Sequence, residues 1–126
     1  MKAIIKLAFS LLITINALGQ NNQVVNADAF DEGIKKENPQ ILDVRTSKEF
    51  AEGHIQNAIN IDWENLSKFK RKSAKLDKTK PVYIYCLGGV RSKKAAEWLT
   101  GNGFNNVISL DGGIKAWKEA GKPVNE

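Results

Sequence analysis

Apolar residues follow two patterns along this chain, and each pattern predicts one kind of secondary structure. Short runs rich in β-branched and aromatic residues predict buried strands. Apolar residues that recur three and four positions apart predict amphipathic helices. The predicted strands lie at 24–25, 40–45, 58–61, 81–85 and 106–110, and the predicted helices at 27–37, 47–52, 65–76, 92–99 and 114–120. Because strands and helices alternate, the pattern predicts a three-layer α/β/α domain built on a parallel sheet.

The spacing also predicts which side chains face the core. The expected buried positions are Ala29, Phe30 and Ile34 in the first helix, Leu66, Phe69 and Leu76 in the third, Ala95, Trp98 and Leu99 in the fourth, and Ile114 and Trp117 in the last. Asn26 or Asp28 can cap the first helix, and Thr46 or Ser47 the second.

The first 19 residues have a different pattern from the rest of the chain. Lys2 and Lys6 give a basic start, residues 7–18 are mainly apolar, and Ala17 and Gly19 are small residues before Gln20. This pattern predicts a secretory signal peptide at 1–19 and a mature domain at 20–126. The apolar run is shorter than the roughly 18 to 20 residues of a spanning helix, so no stable membrane insertion is expected after cleavage. We expect export, to the periplasm in a Gram-negative bacterium.

The net charge of +5 is concentrated in one segment. The basic residues of that segment are Lys68, Lys70, Arg71, Lys72, Lys75, Lys78 and Lys80. A nucleic-acid surface is one interpretation, but neither an aromatic ladder nor a binding motif accompanies the charge. We therefore expect a solvated helix face, no nucleic-acid partner, and a monomer as the default for so small a domain.

The candidate chemistry lies between the strand at 81–85 and the helix at 92–99. Cys86, the chain's one cysteine, is followed by Gly88, Gly89 and then Arg91. The two glycines allow a tight turn with inward N–H groups. Such groups at a helix N-terminus form an anion cradle, which favours a nucleophilic thiolate. Arg91 adds a fork of donors for an oxyanion, so the loop predicts a reactive cysteine for small anionic substrates.

An inert alternative exists for the same residues. A lone cysteine is often a small buried hydrophobic residue, and a Gly-Gly turn can simply connect two elements. Two observations favour the reactive interpretation. The loop follows the carboxyl end of a predicted parallel strand, where α/β proteins bind ligands. In addition, one cysteine cannot form an intramolecular disulfide, so an exported thiol needs another reason to be present.

An ordered set of motifs resembles the single-domain rhodaneses, a family of sulfurtransferases. The motifs are DVR at 43–45, EF at 49–50, GHI at 53–55, CLGGVRS at 86–92, DGG at 111–113 with Trp117, and GKPV at 121–124. They extend over nearly all of the predicted mature chain. The resemblance implies a rhodanese-like fold with a central five-stranded parallel sheet and the cysteine loop at the carboxyl edge of that sheet.

The resemblance also implies a two-step reaction without a metal or an organic cofactor. Cys86 would take a sulfur atom from a small anionic donor such as thiosulfate and hold it as a persulfide. A thiophilic acceptor, either cyanide or a thiol that can belong to an acceptor protein, would then remove it. The substrate-binding residues implied are those of the loop, namely Leu87, Gly88, Gly89, Val90, Arg91 and Ser92.

Four further matched residues are expected to have supporting roles. Asp43 and Arg45 end a strand and are expected either to pair with Glu49 or to tie loops together. His54 is the only histidine, which makes a general base conceivable. The resemblance instead places His54 in a structural turn.

Loop length separates this chain from its nearest rival class. The cysteine phosphatases that share the rhodanese fold have five residues between cysteine and arginine, whereas this chain has the four residues 87–90. The shorter loop fits a sulfane sulfur better than a phosphoryl group.

A second alternative is a persulfide carrier or protein-docking module with little turnover of its own. The apolar side chains of Leu87 and Val90 make the mouth of the loop partly apolar, which indicates that donors other than thiosulfate could also fit.

Overall fold

A computed structural model describes residues 21–126, so the predicted signal peptide at 1–19 lies outside the described residues. Strands and helices alternate through this part of the chain. In order they are β1 (Asn21–Val25), α1 (Ala27–Glu37), β2 (Gln40–Asp43), α2 (Ser47–Glu52), β3 (Ile59–Asn60), α3 (Leu66–Ser73), β4 (Val82–Tyr85), α4 (Val90–Gly101), β5 (Asn106–Leu110) and α5 (Gly113–Glu119). None of these helices is long and apolar enough to cross a membrane.

The five strands form one parallel sheet in the order β1-β5-β4-β2-β3. The predicted five-stranded parallel sheet is therefore confirmed. β4 is the central strand, and Tyr85 at its end lies opposite Asp43 of β2. The residues that follow these two strands consequently meet at the carboxyl edge of the sheet, which is the usual ligand-binding edge of such folds.

Helices cover both faces of the sheet and enclose two apolar clusters. One cluster includes Phe69 and Leu99 packed on Ile84, and the other includes Phe30 and Trp117 packed on Tyr83. Adjacent residues of β4 thus serve opposite faces, as the pleat of a strand requires. The three-layer α/β/α prediction is confirmed, and Trp117 is a core residue as expected.

Several expected positions differ in the structure. Ala29 is exposed and Ala27 is buried, because the face of α1 toward the sheet is centred on Phe30. Leu66 is 46% exposed although Phe69 is fully buried. Leu66 is the first residue of α3 and lies at the edge of the packed face. The basic residues at 68–80 are all exposed.

Strand β2 ends two residues before the predicted boundary. The reason is local, because the carboxylate of Asp43 accepts a hydrogen bond from the backbone N–H of Arg45 at 2.9 Å. A short polar side chain that binds nearby backbone in this way competes with the sheet ladder. Helix α4 begins at Val90, two residues earlier than predicted, so that it starts inside the cysteine loop.

Candidate active site

Cys86 is buried at the end of β4, and its sulfur lies among hydrogen-bonding groups. The backbone N–H of Gly89 donates to Sγ at 3.1 Å, and Oγ of Ser92 lies 3.3 Å from Sγ. The Ser92 hydroxyl is also 3.3 Å from the carbonyl oxygen of Gly89. With one proton, this hydroxyl can donate either to that carbonyl or to the sulfur. Ser92 can therefore accept from a thiol and, after a rotation, donate to a charged sulfur.

Gly89, whose amide donates to the sulfur, is the N-cap of helix α4. Val90, Arg91 and Ser92 occupy its first turn, where backbone N–H groups lack intrahelical acceptors. The first backbone hydrogen bond of the turn is made by Lys93, whose N–H donates to the carbonyl of Gly89 at 3.2 Å. The free N–H groups and the helix dipole together favour a negative charge at this end.

The two loop glycines are not equivalent, contrary to the expectation that both shape the turn. Gly89 has φ +109°, a left-handed conformation that other residues rarely adopt. Gly88 has no such φ, and a Cβ at that position would meet no atom within 4 Å. The turn therefore requires glycine at 89, whereas position 88 leaves open space at the mouth of the loop.

Helix α5 contacts the cysteine loop through backbone hydrogen bonds. The backbone N–H of Ile114 donates to the carbonyl of Cys86 at 2.9 Å, and that of Lys115 donates to the carbonyl of Leu87 at 3.1 Å. Gly113 lies so close that a Cβ would collide with both carbonyls. Gly112 and Gly113 also have positive φ angles of 73° and 63°. The DGG motif is thus explained by a close backbone approach to the cysteine loop.

Arg91 does not point a free guanidinium into the loop. Its Nη1 and Nη2 donate to the two oxygens of Glu49 at 2.7 and 2.9 Å, and Nη1 also contacts Glu64 at 3.2 Å. The hydrogen bond from Arg91 lowers the pKa of Glu49 to about 2, and the same bond raises the pKa of Arg91. The fork of donors expected for an oxyanion is therefore engaged by carboxylates in this structure.

Glu49 is itself fixed by the start of α2. Its carboxylate accepts hydrogen bonds from the backbone N–H and the hydroxyl of Thr46, while its own N–H donates to that hydroxyl. This reciprocal arrangement is a capping box. Glu49 thus joins α2 to α4, and the expected pairing with Asp43 or Arg45 is wrong because Arg91 occupies the carboxylate.

Asp43 and Arg45 instead pair with each other in the interior. Arg45 Nη2 donates to Asp43 at 2.7 Å and to the carbonyl of Gly53 at 2.6 Å. Burial opposes the charge of Arg45, but the hydrogen bond to Asp43 together with the charges of Asp43, Tyr85 and Glu49 outweighs it, so that the pKa of Arg45 is raised. The amide of Asn60 donates to the carbonyls of both partners at 3.0 and 2.9 Å. Of the two expected roles, this geometry corresponds to tying loops together.

His54 lies in a turn that is fastened to the C-terminal segment. Its backbone exchanges two 2.8 Å hydrogen bonds with Asn125, and its ring stacks on Phe50 with centroids 3.7 Å apart. Nδ1 lies 2.9 Å from the carbonyl oxygen of Phe50 and must therefore carry the proton. The next amide, that of Ile55, donates to the hydroxyl of Tyr85 at 3.0 Å. These contacts hold the turn against the end of β4.

Tyr85 and Asn60 support the site, but the sequence reasoning gave neither residue a role. Burial is the main cause that raises the pKa of Tyr85, so this hydroxyl stays neutral and accepts from the turn at 53–55. The sequence pattern predicts that both residues lie at strand ends. It does not predict their hydrogen-bond partners, because those partners are distant along the chain.

The mouth of the loop is open and partly apolar. Leu87 is 48% exposed and Val90 is 69% exposed.

A cavity of ≈ 550 Å³ opens beside Arg91 and is lined by Trp63, Glu64, Leu66, Arg91 and Lys94. Among residues 21–126, no group of three or more His, Cys, Asp or Glu side chains is placed to hold a metal ion.

Comparison with known proteins shows which family this sequence matches. A family profile described as "Rhodanese-like domain" matches residues 26–120. The chain is 42% identical over 81 residues to the thiosulfate sulfurtransferase GlpE of Shewanella oneidensis, covering 64% of this chain and 77% of that protein. It is 38% identical over 96 residues to the thiosulfate sulfurtransferase GlpE of Coxiella burnetii, covering 76% of this chain and 86% of that protein.

A solved structure is similar in fold as well as in sequence. The crystal structure of a rhodanese-related protein from Thermoplasma volcanium superimposes with a TM-score of 0.73 at 36% identity. The match covers 82% of this chain and 97% of that chain. Because almost the whole of that chain is covered, the similarity includes all three layers and is not restricted to the loop.

Proposed function

The chain belongs to the rhodanese-like family, and we propose that it is a thiosulfate sulfurtransferase that carries sulfur as a persulfide on Cys86. Sulfurtransferase activity is supported at the level of the family by the relatives above. The observation that carries the proposal for this chain is the position of Sγ. It accepts a hydrogen bond from Gly89 and lies at the N-terminus of α4, where a negative charge is favoured.

In the first step, the Cys86 thiolate attacks the outer sulfur of thiosulfate. A new S–S bond forms on Cys86 while the bond between the two sulfurs of thiosulfate breaks. The electron pair of the broken bond leaves with sulfite, and the persulfide keeps one negative charge on its terminal sulfur. Charge is conserved, and no external oxidant or reductant is needed.

In the second step, the acceptor attacks the terminal sulfur of the persulfide. Cyanide forms a carbon–sulfur bond and leaves as thiocyanate, and the electron pair of the cleaved S–S bond restores the Cys86 thiolate. A thiol acceptor would take the same sulfur as a new persulfide. Covalent catalysis of this kind divides one difficult transfer into two easier ones.

The loop suits this chemistry because Gly89 already donates to Sγ and further backbone N–H groups of the same loop and helix start lie next to it in the chain. The amides of Leu87, Gly88 and Gly89 and those of the first turn of α4 can donate to a charged sulfur and to donor oxygens. Preorganised donors of this kind stabilise charge without the reorganisation that water requires. Ser92 can add a hydroxyl donor, and we propose that Arg91 contributes its positive charge to the binding of the anionic donor.

The exposed side chains of Leu87 and Val90 favour a second candidate function. An apolar rim around a reactive sulfur suits the surface of an acceptor protein better than it suits cyanide. The domain would then act as a persulfide carrier, with slow turnover on small acceptors and rapid transfer to a protein thiol.

We also propose that the protein is a monomer and that the leader at 1–19 directs its export. Detection of a mature protein beginning at Gln20 would test the export.

Release of thiocyanate from thiosulfate and cyanide tests the proposed activity. The purified domain is expected to turn over, whereas Cys86→Ser is expected to lose turnover while its circular dichroism spectrum is unchanged. Slow release by the unaltered protein combined with rapid transfer to a dithiol would favour the carrier function. Undiminished release by Cys86→Ser would exclude Cys86 as the nucleophile.

A further inference from the structure

The Arg91 guanidinium is held by two carboxylates of very different character. Glu49 makes two short bonds to it, is 25% exposed, and is fixed by Thr46. Glu64 makes one longer contact of 3.2 Å and is 61% exposed. Within residues 21–126 the carboxylate of Glu64 makes no other hydrogen bond. Glu49 is therefore a fixed partner of Arg91, and Glu64 is a partner that can be displaced.

Glu64 also lies at the wall of the open cavity of ≈ 550 Å³ beside Arg91. The charged side chains in that wall are Arg91, Lys94 and Glu64, so removal of the Glu64 carboxylate would leave two cations facing the cavity. The charges of Cys86 and of Glu64 both contribute, after that of Glu49, to the raised pKa of Arg91. The sulfur of Cys86 and the carboxylate of Glu64 therefore both interact electrostatically with the Arg91 guanidinium.

We propose that Glu64 competes with the anionic sulfur donor by occupying the exposed edge of Arg91 until the donor displaces it. An oxyanion of the donor can take over the hydrogen bond from Nη1, because charge-assisted bonds of this kind are interchangeable between carboxylates and other oxyanions. An exposed ion pair is weak, so a dianion displaces Glu64 at little cost, whereas a donor with less negative charge competes less well for Arg91. The identity of the donor rests on the proposed function.

A binding titration tests this role without any sulfur transfer. Thiosulfate is titrated into Cys86→Ser and into Cys86→Ser with Glu64→Gln, and the dissociation constants are measured by calorimetry. We expect Glu64→Gln to lower the dissociation constant by about two- to fivefold, the range that an exposed ion pair supports. The difference should shrink in about 1 M salt, where exposed charges are screened. Equal constants, weaker binding by Glu64→Gln, or no measurable binding by either protein would overturn the proposal.

Glu32→Gln is the matched control, because Glu32 is an exposed carboxylate of α1, on the opposite face of the sheet from α4. It removes the same charge without touching Arg91 and should leave the dissociation constant unchanged. An equal effect of both substitutions would mean a general charge effect and would also overturn the proposal.

Steady-state kinetics of the protein that retains Cys86 provide the second measurement. Glu64→Gln should lower KM for thiosulfate by the same about two- to fivefold factor and leave kcat unchanged, since Glu64 leaves Arg91 before the transfer. A fall in kcat without a change in KM would overturn the proposal. If the unaltered protein never transfers sulfur, the proposed function fails, and the titration still decides whether Glu64 competes with the anion.

Discussion

Two arginine–carboxylate pairs lie at the same edge of the sheet, and their surroundings give them different roles. The Asp43–Arg45 pair is buried, with side chains 0% and 5% exposed, and Nη2 of Arg45 also donates to the backbone carbonyl of Gly53. The Glu49–Arg91 pair is one-quarter exposed and shares its guanidinium with Glu64. A fully enclosed pair fixes loops, whereas in the partly exposed pair Arg91 can exchange its outer partner Glu64 for a substrate.

The largest expected effect comes from breaking the buried pair. Asp43→Asn would leave the Arg45 guanidinium inside the protein without a carboxylate. Such an uncompensated buried charge costs about 3–5 kcal/mol, a large part of the stability of a small domain. Urea unfolding should show that loss in the free energy of unfolding. Glu49→Gln is the matched control on the partly exposed pair, and it should cost about 1 kcal/mol. Similar costs for both would contradict the distinction between the pairs.

A smaller effect is expected where α5 supports the loop that lies between the two pairs. Gly113→Ala adds a Cβ that collides with the carbonyls of Cys86 and Leu87, at a φ of +63° that alanine disfavours. We expect a loss of about 1–3 kcal/mol in unfolding free energy and at least a ~tenfold fall in thiocyanate release, because the loop must shift. Gly101→Ala, where a Cβ meets nothing within 4 Å, should preserve both quantities. Unimpaired activity of Gly113→Ala would mean that α5 does not position the loop.

The partly exposed pair of Glu49 and Arg91 should also make the free energy of unfolding depend on pH. The folded-state pKa of Glu49 is about 2, below its ordinary value of 4.5, because of the hydrogen bond from Arg91. A depressed carboxyl pKa stabilises the fold above about pH 4.5, and this stabilisation is lost as the pH falls toward 2. The difference in unfolding free energy between the unaltered protein and Glu49→Gln should therefore disappear across that interval. A difference that is constant with pH would show that the pair is not formed in solution.

The smallest effect is expected at His54. Its Nδ1 proton is donated to the carbonyl of Phe50 and its backbone is paired with Asn125, so we expect a structural role. His54→Gln should reduce thiocyanate release by less than about tenfold, whereas removal of a general base typically costs ~100-fold or more. A loss of that larger size, with the fold retained, would restore His54 as a catalytic residue.

The fold could be predicted from the sequence because its signals are local. Runs such as 81–85 and 106–110 are apolar and β-branched, and the alternation of strands with helical spacing leaves few topologies. The boundary errors have equally local causes. The carboxylate of Asp43 ends β2 early, and helix α4 starts inside the loop at Val90 because Gly89 supplies the left-handed turn before it.

The candidate site could be predicted only in part. Cys86 and the loop were evident from the spacing of cysteine, glycines and arginine between a strand and a helix. The partners of Arg91 were not evident, because Glu49 and Glu64 are 42 and 27 positions away along the chain. A pairing at that separation depends on how α2 and the segment after β3 pack. No periodicity in the sequence records that packing.

The most direct test of the Cys86 sulfur cycle is the intact mass of the purified protein. The mass is measured before and after thiosulfate, and again after cyanide. We predict a gain equal to one sulfur atom, its loss to cyanide with release of thiocyanate, and no gain in Cys86→Ser. The absence of a gain, in protein whose Cys86 is shown by thiol titration to be reduced and reactive, would contradict the assignment of Cys86 as a carrier of sulfur from thiosulfate.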